Sequence, residues 1–105
     1  MPDMPKVPDV PSRPDKRELP VKLPDDVLPG VYSNQMLIRH TREEFLLDFM
    51  NLFPPQGVVT ARVIVSPGHL KRIIHALQQN LTGYEKKHGP VAEAPEPGPA
   101  AEKLH

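Results

Sequence analysis

Fifteen prolines stand in 105 residues, and eight of them fall within the first thirty. Pro2, Pro5, Pro8, Pro11 and Pro14 recur at every third position, with Pro20, Pro24 and Pro29 behind them. Each ring removes a backbone donor and biases its predecessor away from helix. A spacing of three matches the turn of a polyproline II helix and lines the rings along one edge. Residues 1–30 therefore read as an extended, proline-rich arm that builds no core. Its apolar residues, Leu19, Val21, Leu23, Val27 and Leu28, are expected to pack over the domain or to add to a sheet edge. Pro8-Asp9-Val10-Pro11-Ser12-Arg13 fits P-x-x-P-x-R, so Pro8, Pro11 and Arg13 are a candidate docking peptide for an aromatic groove. The plainer reading, a stiff linker or a tail without structure, stands beside it.

The far end behaves similarly. From Gly89 the chain runs GPVAEAPEPGPAAEKLH, rich in Pro, Ala and Glu and poor in large apolar groups, so residues 90–105 read as a disordered tail. Only residues 31–89 can fold. Within Val31–His88, seven Lys and Arg stand against four Asp and Glu, a local formal charge of +3 in a chain whose total is zero. This balance argues against a dedicated polyanion binder. Without cysteine there is no disulfide, no thiolate metal site and no cysteine nucleophile. No apolar run is long enough for a membrane span. The first residues lack a basic segment followed by an apolar one, so no signal peptide is expected.

After the turn signal Pro29-Gly30, Val31–His40 alternates as a strand. Tyr32, Asn34, Met36, Ile38 and His40 share one face, and Val31, Ser33, Gln35, Leu37 and Arg39 the other. Thr41-Arg42-Glu43 is the expected reversal. Glu44–Phe53 fits helix and strand spacing alike. Pro54-Pro55 stops it either way, and three phenylalanines within ten residues, short length and strand-like neighbours favour strand. Pro54-Pro55-Gln56-Gly57 reads as a turn, and Val58–Val65 as the clearest strand, rich in β-branched residues. There Val59, Ala61, Val63 and Val65 are expected on one face, and Val58, Thr60, Arg62 and Ile64 on the other. Ser66-Pro67 then starts a helix, serine as N-cap and proline at the first helical position. Leu70, Ile73, Ile74, Leu77, Leu81 and Tyr84 follow helical spacing and form one apolar stripe, expected to face the core. Gly89-Pro90 ends it.

The fold class expected is α+β: a three-stranded antiparallel β-meander followed by one amphipathic C-terminal helix. Leu46, Met50 and Leu52 share one face of the second strand, and Phe45, Leu47, Phe49 and Phe53 the other. One helix covers one face only, and a domain of about 60 residues is marginal by itself. The bare apolar face must meet something. A second copy, in a dimer or a dimer of dimers joined through the sheet, is the economical answer. The residues expected at that interface are Leu46, Met50, Leu52, Val58 and Ile64.

These segments together resemble a bacterial family of small uncharacterised proteins, a domain of unknown function. The resemblance rests on Val31-Tyr32-Ser33-Asn34, Glu44-Phe45-Leu46-Leu47-Asp48-Phe49, Arg62-Val63, Ser66-Pro67-Gly68-His69-Leu70-Lys71-Arg72, Ala76-Leu77-Gln78-Gln79-Asn80, and Tyr84-Glu85 with Gly89. It spans residues 31–89. It implies a bacterial, cytoplasmic, non-secreted protein and brings no activity with it.

The polar residues in those motifs have structural explanations to set beside functional ones. Asp48 is open to pairing with Arg62 across neighbouring strands, to simple solvation, or to a functional role. Ser33 and Asn34 are expected to satisfy backbone groups near a strand end. Arg62, Lys71 and Arg72 are candidate contacts for a phosphate or an acidic partner, the last two beside a helix N-terminus. The five histidines show no ligand spacing, no glycine-rich loop precedes a helix, and no nucleophile–base pair is in evidence. The expectation is a non-enzymatic homo-oligomeric interaction module without cofactor or metal. Two alternatives are a single-stranded nucleic-acid binder, using Tyr32 and the basic residues, and a chaperone-like binder of apolar clients. Neutral charge and the lack of a recognisable motif weigh against nucleic acid.

Overall fold

A computed structural model describes residues 18–98. The candidate docking peptide Pro8, Pro11 and Arg13 lies outside them. The chain divides into two units, with the boundary between Gly30 and Val31. In the first unit, residues 18–30 are exposed throughout and form no strand. Pro24 opens a turn there, its carbonyl accepting from the N–H groups of Val27 and Leu28. Gly30 closes it at φ 76, where a side chain would be strained.

The second unit carries β1 (Gln35–His40), β2 (Phe45–Phe53), β3 (Gln56–Val65) and α1 (Pro67–His88). The strands form one antiparallel sheet in the order β1-β2-β3. The ambiguous Phe45–Phe53 segment is a strand, as its aromatic content favours. Four residues join β1 to β2. Thr41 Oγ1 accepts from the N–H groups of Glu43 and Glu44, and the Thr41 N–H donates to the Glu44 carbonyl. Pro54-Pro55, joined by a cis bond, connects β2 to β3. Among the described residues no helix is long and apolar enough to cross a membrane.

β1 is shorter than the alternation over Val31–His40 suggests, and Asn34 explains where pairing stops. Its side-chain amide takes the place of backbone. Oδ1 accepts from the Leu52 N–H at 2.8 Å and Nδ2 donates to the Leu52 carbonyl at 3.1 Å. Ser33 Oγ donates to the Gln35 and Met50 carbonyls. Both side chains satisfy backbone groups, as expected of short polar residues at a strand end.

The register defines two faces. Met36 and Ile38 of β1, Phe45, Leu47 and Phe49 of β2, and Ala61, Val63 and Val65 of β3 share a phenylalanine face. Leu37 and Arg39, Leu46, Asp48, Met50 and Leu52, and Arg62 and Ile64 share an aspartate face. A register shift corrects the expected alternation in β3. Phe49 pairs with Ala61 but Met50 pairs with Val59, leaving Thr60 as an extra residue. Thr60 Oγ1 donates to the Phe49 carbonyl at 3.1 Å. Beyond this bulge every side chain changes sides. Val59 moves to the aspartate face, and Val58, opposite Asn51, to the phenylalanine face.

The helix is capped as its sequence predicts. Ser66 Oγ accepts from the His69 N–H, Pro67 fills the first helical position, and Gly89 at φ 95 ends the helix by donating to the Glu85 carbonyl. Lys86, Lys87 and His88 sit at the negative end of the helix dipole. The expected packing, however, is not found. The apolar stripe does not close over the sheet: no helix residue is buried. Leu70 and Ile73 are half-buried, whereas Ile74, Leu77, Leu81 and Tyr84 are exposed, Leu77 at 65%. The reason lies in the link. Ser66 alone separates Val65 from Pro67, and it is extended at φ −73, ψ 157. One extended residue before a ring-locked proline leaves no slack to fold a helix back across its own sheet. Among the described residues the buried apolar core is Leu47, Met50 and Val65.

Candidate functional site

Asp48 is the most enclosed side chain described, 0% exposed at the centre of β2. A carboxylate at such a position needs partners, because an unpaired buried charge is costly. Two arginines supply them, one from each flanking strand. Arg62, directly opposite on β3, donates through Nε to Oδ1 at 2.6 Å and through Nη2 to Oδ2 at 3.0 Å. Arg39, two residues along β1 from Leu37, the residue opposite Asp48, donates through Nη2 to Oδ2 at 3.1 Å. The Arg62 hydrogen bond is the main cause holding the Asp48 carboxyl below its ordinary 3.8, and the Arg39 bond adds to it. Burial opposes both without overcoming them. Asp48 in turn pushes the Arg62 guanidinium up. All three strands are thus tied through one carboxylate.

The arginines cover the carboxylate and themselves face solvent, each with its side chain 48% exposed. Arg62 was a candidate from sequence. Arg39 stood only among the basic residues of the nucleic-acid alternative and not as a partner of Asp48, because that role emerges only when the turn fixes the β1–β2 register: His40 opposite Phe45 places Leu37 opposite Asp48 and brings Arg39 beside it. A hollow of about 290 Å³ continues from Arg39 past His40, Thr41, Glu44 and Leu46.

The other candidates are dispersed. Arg62 hydrogen-bonds Asp48, whereas Lys71 and Arg72 lie exposed on α1, with Arg72 Nη2 3.0 Å from His69 Nδ1. Ser66 already accepts the first-turn His69 N–H that an anion would use. Of the expected interface set, Leu46, Met50, Leu52 and Ile64 share the aspartate face and Val58 lies on the opposite one. Met50 is 2% exposed and is covered within one copy; Leu46 and Leu52 are half-buried, and Val58 and Ile64 are exposed. The barer surface is elsewhere. On the phenylalanine face Met36, Ile38, Phe53, Val58 and Val63 are all exposed. Asn51 Oδ1, on that same face, is buried without a hydrogen-bond partner.

Among the described residues no group of three His, Cys, Asp or Glu side chains is placed to hold a metal. Fold and site together define a small α+β protein: a meander, a projecting helix with an open apolar stripe, and a buried carboxylate under two arginines. The chain belongs to the family of proteins of unknown function described as DUF3467, whose model matches residues 3–93. The match is wider than the motifs over 31–89 and takes in most of the proline-rich arm. No curated protein and no solved structure matches the chain.

Proposed function

We infer that the protein is a non-enzymatic, cytoplasmic homo-oligomeric interaction module whose fold is completed by a second copy of itself. The observation that carries this reading is the helix stripe. Ile74, Leu77, Leu81 and Tyr84 are exposed in one copy although their spacing is that of a core-facing helix. Among the described residues three buried apolar side chains make too small a core for a domain of this size. The occupant must be apolar and elongated, and a two-fold related copy brings such a surface by symmetry. Its helix stripe and its phenylalanine face are each the kind of surface the other lacks. This moves the expected interface from the aspartate face, where Met50 is already covered, to the stripe together with Met36, Ile38, Val58 and Val63.

Leu77→Asp tests it. On an exposed site of a monomer the change costs about 0.5–1 kcal/mol, mostly through helix propensity. At the centre of a buried interface it places an unpaired charge among apolar groups, and association falls by at least about a hundredfold. Size-exclusion chromatography with circular dichroism separates the two. The expected result is a smaller species that retains its strand signal; an unchanged elution volume contradicts the proposal.

A further inference from the structure

The aspartate face holds a feature that oligomerisation through the stripe does not use. Asp48 accepts one hydrogen bond from Arg39 and two from Arg62, fewer than the two guanidiniums can donate. Both arginines remain half exposed, so the unused N–H groups have access to solvent. Within the hydrogen-bonded cluster one carboxylate stands against two guanidiniums, a surplus positive charge, and Glu44 is a second carboxylate lining the hollow on the Arg39 side. A fully buried, hydrogen-bonded anchor also holds both guanidiniums in place, which lowers the entropy lost when they bind a further anion. Leu37, Leu46 and Ile64 give the face apolar surface around the arginines, with Gln35 further along β1 and Glu44 at the hollow beside Arg39. No strand position on it is aromatic, so it offers no stacking surface for bases.

We propose that Arg39 and Arg62 form a receptor for a carboxylate side chain carried on an apolar polypeptide segment of a partner. The fork geometry of each guanidinium suits a carboxylate, and the flanking leucine and isoleucine side chains take the residues on either side of it. This rests on the reading of the protein as an interaction module and names the chemistry of its partner.

The test uses the full chain and three probes. One is a short leucine–alanine peptide with a single central glutamate, the second has glutamine in its place, and the third is oligothymidylate. Nitrogen-15 spectra of the arginine Nε–H groups report binding. The glutamate peptide is expected to shift the Arg39 and Arg62 signals and to weaken as salt is added. Glutamine in the peptide, or Arg39→Gln in the protein, should reduce affinity by about tenfold or more. Arg39→Lys keeps the charge without the fork, and should weaken binding even where Arg39→Gln fails to fold. Equal binding of the two peptides, no binding of either, or tighter binding of oligothymidylate overturns the proposal. Sedimentation of the same samples keeps the two readings apart: a monomer that binds the glutamate peptide defeats the oligomer and leaves the receptor, and an oligomer that ignores it does the reverse.

Discussion

Asp48 sits between Leu47 and Phe49 in a stretch that otherwise reads as apolar, and a lone carboxylate there is either solvated or locked. It is locked, and unequally. Arg62 gives two hydrogen bonds and Arg39 one. Arg62→Gln should therefore be the more damaging change and Arg39→Gln the milder one. Urea unfolding of both variants checks the order, and equal losses would contradict it. The pH dependence has a definite sign. The folded carboxyl titrates below its ordinary 3.8, so its contribution is complete above that value and is lost as pH falls through the lower folded one. Asp48→Asn should thus be less stable than the parent at neutral pH, by about 1–3 kcal/mol, and the gap should close in acid. A deficit that persists unchanged at low pH would show that shape rather than charge matters. Arg62 was legible as one candidate partner for Asp48, beside solvation and a functional role, and the β2–β3 register places the two opposite each other. Arg39 was not, because a diagonal neighbour depends on a turn whose length the sequence leaves open.

At the scale of elements, the order β-β-β-α was legible because each boundary carries its own chemistry: Thr41 in the first turn, Pro54-Pro55 in the second, Ser66-Pro67 and Gly89 at the helix ends. Two things were not. The bulge at Thr60 leaves no mark in a run of β-branched residues, since both registers present valines. Yet it decides that Val58 and Val59 change sides. The helix packing was equally hidden. Periodicity shows that a helix has an apolar stripe, and says nothing of which molecule the stripe meets. The single-residue link at Ser66 is the physical signal that bears on that question. Gly83 provides a test at this scale. It lies off the stripe and a Cβ there would meet nothing within 4 Å. Gly83→Ala should therefore raise stability by about 0.5–1 kcal/mol without altering assembly, seen as a higher unfolding midpoint at unchanged elution volume. A loss of stability would mean that this part of α1 is in contact with something a methyl group disturbs.

For the whole molecule, the question is what surrounds the stripe. A sheet held at its centre by a charged cluster and a helix with no buried residue share a small apolar core, and the largest apolar side chains of α1 face outward. Large exposed apolar patches on soluble monomers usually mark an interaction site. A second copy would bury both the stripe and the barer sheet face while leaving the arginines of the aspartate face accessible. Sedimentation equilibrium of the full chain across the micromolar range tests this most directly. A mass of two chains, or of four, is the predicted result. A single chain mass throughout that range, with α1 still helical, would contradict it.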